Sequence, residues 1–151
     1  MTGNIPHAEL EVSRQAVLQN YNFYRSLLNP TTKLLVVAKA NCYGHGAVEF
    51  ARLMEQAGAD YLGVATPIEG IMLRRSGIEM PVLVLTSGME FYPEMIAYRL
   101  EPGIPNIESL ERIFKGLQER GISNFPVHIA IDTGMHRLGF MKGEIDGLTA
   151  F

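Results

Sequence analysis

A lysine at position 39 closes an unbroken apolar run, Leu34-Leu35-Val36-Val37-Ala38, and Ala40-Asn41-Cys42-Tyr43-Gly44-His45-Gly46 follows it. Five apolar residues in a row read as a strand buried on both faces. In parallel α/β proteins the chemistry gathers at the carboxyl ends of strands. A lone lysine there, next to a tyrosine, is placed to form a Schiff base with a carbonyl cofactor. The competing reading is a surface lysine that only marks a strand end. The apolar run weighs against it, because the lysine stem then lies in or beside the core, where a desolvated amine is the better nucleophile. Tyr43 can hydrogen-bond a phosphate or simply pack. Gly44 and Gly46 either let the backbone approach an anion at a helix start or merely make the turn. His45, between them, reads as solvated. No Gly-Lys-Ser/Thr follows, so the segment is not a nucleotide phosphate loop.

A second constellation runs from Asp132 to Arg137. The strand Val127–Asp132 alternates, with Ile129 and Ile131 on one face and His128, Ala130 and Asp132 on the other. In a barrel the apolar face meets the helices and the polar face points inward. Thr133-Gly134 then turns the chain, and Arg137 is a candidate to engage a carboxylate or a cofactor oxygen. A solvated loop arginine is the alternative.

The elements that must position these residues alternate along the chain. His7 to Val12 reads as a short strand, and Ser13 as the N-cap of a helix to about Leu28 with the stripe Val17, Tyr21, Tyr24, Leu28. Pro30 stops it. After strand Leu34–Ala38 comes a helix from about Ala47 to Ala57, with Phe50, Leu53, Met54 and Ala57 inward and Gly58 as its C-cap. Tyr61–Ala65 is the next strand. Thr66, Pro67 and Glu69 then spell a capping box for a helix closed by Gly77. Val82–Leu85 is a third strand, with a helix near Pro93–Tyr98. Arg99–Ile104 reads as a short, weak fourth strand. Asn106 caps a helix with the stripe Leu110, Ile113, Phe114, Leu117, ended by Gly121. Units of roughly 20–27 residues are the rhythm of a parallel βα fold, and no turn dipeptide suggests a hairpin.

Composition narrows the function classes. The 151 residues carry a net charge of −3, are 47% hydrophobic, and show no basic patch. Nucleic acid and anionic membrane surfaces are therefore unexpected partners. No apolar run approaches the ~20 residues of a membrane span, and no secretory signal opens the chain. The single cysteine, Cys42, excludes an internal disulfide. A cytoplasmic protein is expected, and no metal site.

Together the two constellations carry a family likeness. Val37-Ala38-Lys39-Ala40-Asn41-Cys42-Tyr43-Gly44-His45-Gly46 closely resembles the cofactor-lysine motif of bacterial alanine racemases. Asp132-Thr133-Gly134-Met135-His136-Arg137-Leu138-Gly139-Phe140 resembles their second signature. Tyr61-Leu62-Gly63-Val64-Ala65 with Glu69-Gly70 is similar to the segment between them. The likeness runs from about residue 9 to residue 142.

The resemblance implies an enzyme of fold type III using pyridoxal 5'-phosphate, built as a (β/α)₈ barrel followed by a β-rich domain and working as a homodimer. The fold expected here is α/β: an incomplete (β/α)₈ TIM-type barrel of about five parallel βα units, stopping before the remaining strands and the C-terminal β domain. Residues 1–12 would form an N-terminal strand or arm, and residues 13–151 the N-terminal part of the barrel. Lys39 would hold the cofactor and act as one of two bases, and Tyr43 would contact the phosphate. Arg137 would meet the cofactor's phenolic oxygen and the substrate carboxylate, which the backbone N–H of Met135 would also contact.

The activity implied is interconversion of L-alanine and D-alanine for peptidoglycan precursors. In the family the second base is a tyrosine of the partner's C-terminal domain, so this chain alone is expected to be inactive. Its open sheet edges are expected to drive self-association. The alternatives are a racemase for serine or lysine, a non-catalytic cofactor-binding barrel of vitamin B6 homeostasis, and, more distantly, a Schiff-base aldolase barrel. One position departs from the family. Many members carry a lysine two residues before the aspartate of the second signature, where this chain has Ala130. A lysine restored there (Ala130→Lys) is expected to tighten cofactor binding or raise activity in a full-length version. Equal kinetics for the two would contradict this.

Overall fold

A computed structural model describes residues 9–148. Among them five strands, β1 (Leu35–Val37), β2 (Tyr61–Val64), β3 (Val82–Val84), β4 (Glu101–Ile104) and β5 (His128–Ile129), pair in parallel and in sequence order. The helices are α1 (Arg14–Ser26), α2 (Ala47–Gln56), α3 (Pro67–Arg75), α4 (Tyr92–Ala97), α5 (Ile107–Gln118) and the short α6 (Ile145–Leu148). Each of α1 to α4 contacts the helix after it, so these helices form one layer on one face of the sheet. That is the arrangement of a barrel wall; a doubly wound sheet would place helices on both faces.

Alternation along the strands puts Leu62, Val64, Val82, Val84 and Ile104 beneath that layer, all fully buried. Met54, Leu73, Met95 and Ile113 come down on them from α2, α3, α4 and α5, also fully buried. Burying each such side chain contributes roughly 1.5–3 kcal/mol. The opposite face curls inward. The rings of Tyr61 on β2 and His128 on β5 meet edge to face at 5.8 Å, although three strand spacings would hold them roughly 14 Å apart in a flat sheet. His128 Nε2 lies 2.6 Å from the carboxylate of Glu101, which is buried on β4. Burial, reinforced by the Glu101 charge and hydrogen bond, pushes the Tyr61 phenol above its ordinary range.

The caps agree with the sequence. Ser13 Oγ accepts from the Ala16 N–H, Asn106 Oδ1 from the Ser109 N–H, and Thr66 with Glu69 completes the capping box of α3. Several expectations are corrected. The His7–Val12 strand lies partly outside the described residues, and Glu9–Val12 form no strand because no described strand runs beside them. β1 is not buried on both faces: among the described residues it pairs with β2 alone, and Val37 is 36% exposed. On α1 Tyr21 is buried but Tyr24 is exposed, and on α5 Phe114 is exposed. β4, read as weak, is buried along its whole length. The fifth strand is shorter than expected, and Ile129 and Ile131 are exposed because α5 packs on β4 and no described helix covers β5.

Candidate functional site

Lys39 stands directly beyond β1, half-buried, where the Ala38 N–H still donates to Gly63 O at 2.8 Å. The helical turn that follows, Lys39–Tyr43, is left-handed. Ala40, Asn41, Cys42 and Tyr43 have φ of 52°, 51°, 54° and 53°. For L-residues this costs roughly 1–2 kcal/mol each, and such backbone persists only where its surroundings over-determine it. Here they do. The Cys42 N–H donates to Ala38 O, the N–H groups of Gly44 and Gly46 donate to Asn41 O, and the His45 N–H donates to Cys42 O. Asn41 Oδ1 accepts from the Ala47 N–H at 2.9 Å and so caps α2. The Cys42 side chain is buried, which pushes its thiol pKa up.

This geometry decides between the two readings of the glycines. The N–H groups of Gly44, His45, Gly46 and Ala47 are all spent inside the turn, so Gly44 and Gly46 shape the chain and offer no amide to an anion. His45 is exposed, as expected of a solvated ring, but its Nδ1 sits 2.7 Å from Cys42 O.

The turn is tied to the rest of the wall by Glu69. Its Oε1 accepts from the Ala40 N–H at 2.7 Å, and its Oε2 accepts from the N–H groups of Ala65 and Thr66 at 2.7 and 3.1 Å. The capping box was legible in the sequence; the reach to Ala40, 29 residues away, was not.

After β5 the chain folds back on itself. Ile131 bridges Phe140, the Asp132 N–H donates to Phe140 O at 2.9 Å, and the Phe140 N–H donates to Ala130 O at 2.8 Å. Phe140 is fully buried and anchors the return. Asp132 organises the loop between. Its Oδ1 accepts from the Gly134 and His136 N–H groups, and its Oδ2 lies 2.8 Å from His136 Nδ1. The backbone N–H groups of His136 and then Gly134 hold its carboxyl below the ordinary 3.8. A depressed carboxyl stabilises the loop above that value, and the contribution is lost as pH falls through the lower folded-state value. The protection of the amides in residues 132–137, taken relative to their intrinsic exchange rates, is therefore expected to fall below about pH 4. Asp132→Asn is expected to exchange fast already at neutral pH and to lose most of this dependence.

The loop leaves Met135 and Arg137 exposed, as Tyr43 is on the β1 side. All three lie with Lys39 at the carboxyl end of the sheet. β1 and β5 are its two edges, and among the described residues no hydrogen bond or ion pair joins the Lys39 turn to the Arg137 loop. Ala130 sits between β5 and this loop and contributes only its backbone.

The family profile described as "Alanine racemase, N-terminal domain" matches residues 12–150. The chain belongs to the alanine racemase family. An alanine racemase from Nostoc sp. is 42% identical over 138 residues, covering 87% of this chain and 35% of its own length. A serine/alanine racemase from Enterococcus gallinarum is 39% identical, covering 91% of this chain and 19% of its own. The chain thus spans about a third of the length of the curated alanine racemases it matches. Among solved structures, alanine racemase from Clostridium difficile 630 superposes with a TM-score of 0.83 at 34% identity, over 89% of this chain and 36% of that one. Alanine racemase from Bartonella henselae "with covalently bound pyridoxal phosphate" superposes at 0.81 with 26% identity, over 92% and 39%. The five-stranded wall is therefore the alanine racemase barrel fold over this part of its length.

Proposed function

We propose that this chain carries the cofactor-lysine side of a pyridoxal phosphate-dependent alanine racemase. The observation that carries the proposal is Lys39 on a rigid left-handed turn at the carboxyl end of β1, in a chain whose family profile covers residues 12–150. The residues present fit the cofactor in chemistry: a half-buried primary amine and an exposed phenol on Tyr43 follow β1, and an exposed guanidinium on Arg137 follows β5. When bound, pyridoxal phosphate supplies an electron sink that acidifies the Cα–H of an amino acid. The Lys39 amine would hold the cofactor and would serve as the base at Cα on one face. The Tyr43 hydroxyl would donate to the phosphate. Arg137 would donate to the cofactor's phenolic oxygen and pair with the substrate carboxylate, which the Met135 N–H would also meet. Racemisation needs a base on each face, and Lys39 serves one. The opposite base comes from a second subunit, so the working form is a homodimer and the chain by itself turns over no substrate.

L-alanine is the substrate of first choice, given how many relatives bear that name, and the Enterococcus gallinarum relative makes L-serine the second. The test is a racemisation assay of the chain alone and joined to the remaining length of a relative. The joined protein is expected to form D-alanine, and Lys39→Ala to abolish it. Cofactor binding without racemisation of any amino acid in the joined protein would favour a non-catalytic barrel.

A further inference from the structure

The Glu69 carboxylate does more than a capping box requires. A box needs one side-chain oxygen on the N-cap N–H, here that of Thr66. Glu69 takes that N–H and the Ala65 N–H on Oε2, and its Oε1 reaches across to the Ala40 N–H. β1 and β2 are neighbours in register, Val37 against Gly63. One carboxylate therefore pins the carboxyl end of β2 and the start of α3 to the residue directly after Lys39. It sits at the entrance of four consecutive left-handed residues, where the chain would otherwise relax toward right-handed backbone and swing the lysine. Three N–H donors converge on it, so the group must be a pure acceptor; a glutamine would turn an NH₂ toward one of them.

We propose that Glu69 is a positioning residue for Lys39, holding the left-handed turn so that the amine faces the barrel interior. The inference rests on Lys39 being the cofactor lysine. The experiment compares the wild-type chain with Glu69→Gln, Glu69→Asp and Thr66→Ala by two readouts. The first is amide exchange of residues 40–46. The second is borohydride-trapped labelling by pyridoxal phosphate, resolved by peptide mass spectrometry, with Lys33 as internal reference because it lies against the Tyr61 ring at the opposite end of the sheet.

Glu69→Gln is expected to speed exchange in 40–46 roughly ten- to hundredfold. It is also expected to raise the half-saturating cofactor concentration at Lys39 about tenfold while labelling of Lys33 stays unchanged. Glu69→Asp keeps the charge but is one methylene too short to reach Ala40 and Thr66 together, and is expected to behave likewise. Thr66→Ala, which removes the hydroxyl cap and leaves the carboxylate, is expected to leave both readouts near wild type. Wild-type exchange and Lys39 labelling in both Glu69 variants would overturn the proposal, and so would equal losses in Thr66→Ala. If Glu69→Gln fails to fold, the Asp variant decides by the same criteria. Absence of Lys39 labelling in the wild type would sink the cofactor reading instead, and the exchange data would still show whether Glu69 holds the turn.

Discussion

Gly139→Ala is expected to destabilise the chain by about 3–5 kcal/mol, a loss at the upper end for a single substitution. The position has φ of +115°, where L side chains are strained. A Cβ there would lie 2.8 Å from Asp132 N and from Ile131 C, and 3.0 Å from Ala130 C. These are backbone atoms of the outgoing segment just after β5 and cannot swing away as a side-chain tip would. To admit the methyl, the Asp132–Phe140 and Phe140–Ala130 hydrogen bonds must open and the fully buried Phe140 must lift. Urea denaturation checks this. Gly143→Ala is the control, because a Cβ there meets nothing within 4 Å, and its midpoint is expected within ~0.5 kcal/mol of wild type. A Gly139→Ala midpoint equal to that of the control would contradict the observed return of the chain.

Arg74→Met is expected to cost about 3 kcal/mol, from a different part of the wall. At the end of α3 its Nε donates to Tyr98 O, its Nη1 to Ile78 O and Met80 O, and its Nη2 to Arg99 O, at 2.7–3.0 Å. One guanidinium thus stitches α3 to the approaches of β3 and β4. Burial lowers its pKa, opposed by the carboxylates of Glu101 and Glu55. Methionine fills much of the volume but leaves three partly buried carbonyls, those of Tyr98, Ile78 and Met80, without this donor, and that desolvation sets the cost. Lysine is no substitute, since an ammonium with three donors on one nitrogen cannot reach four separate carbonyls. Arg74→Lys is therefore expected to recover less than half of the loss in the same denaturation measurement. These contacts lie at the amino end of the strands, so cofactor labelling at Lys39 is expected to be unchanged in folded Arg74→Met.

The fold was legible where local chemistry decides it. Ser13, Thr66 with Glu69, and Asn106 marked helix starts that the structure confirms to the residue, and the strand–helix rhythm led to a parallel sheet in sequence order. It was less legible where neighbours decide. The same apolar run that suggested a doubly buried strand became an edge, because burial depends on which strand lies alongside. β4, with Pro102 and Gly103 against ordinary strand propensity, is buried because β3 and β5 flank it. At the site, Lys39, Tyr43, Met135 and Arg137 stood out by type and spacing. The left-handed turn did not, since Ala40, Asn41, Cys42 and Tyr43 include no glycine to announce it. It is held by Asn41 from within the turn and by Glu69 from 29 residues beyond Ala40, a contact that the local sequence pattern does not announce.

The account rests on Lys39 being the residue that takes the cofactor, and its most direct test is chemical. Purified chain is incubated with pyridoxal phosphate and reduced with borohydride, which fixes the condensed amine as a stable secondary amine, and the labelled peptide is identified by mass spectrometry. Label at Lys39 in large excess over the background at Lys33, and lost from that peptide in Lys39→Ala, is the expected result. Label spread evenly over Lys33, Lys39, Lys115 and Lys142, or unaltered by Lys39→Ala, would contradict the assignment of this turn as the cofactor site.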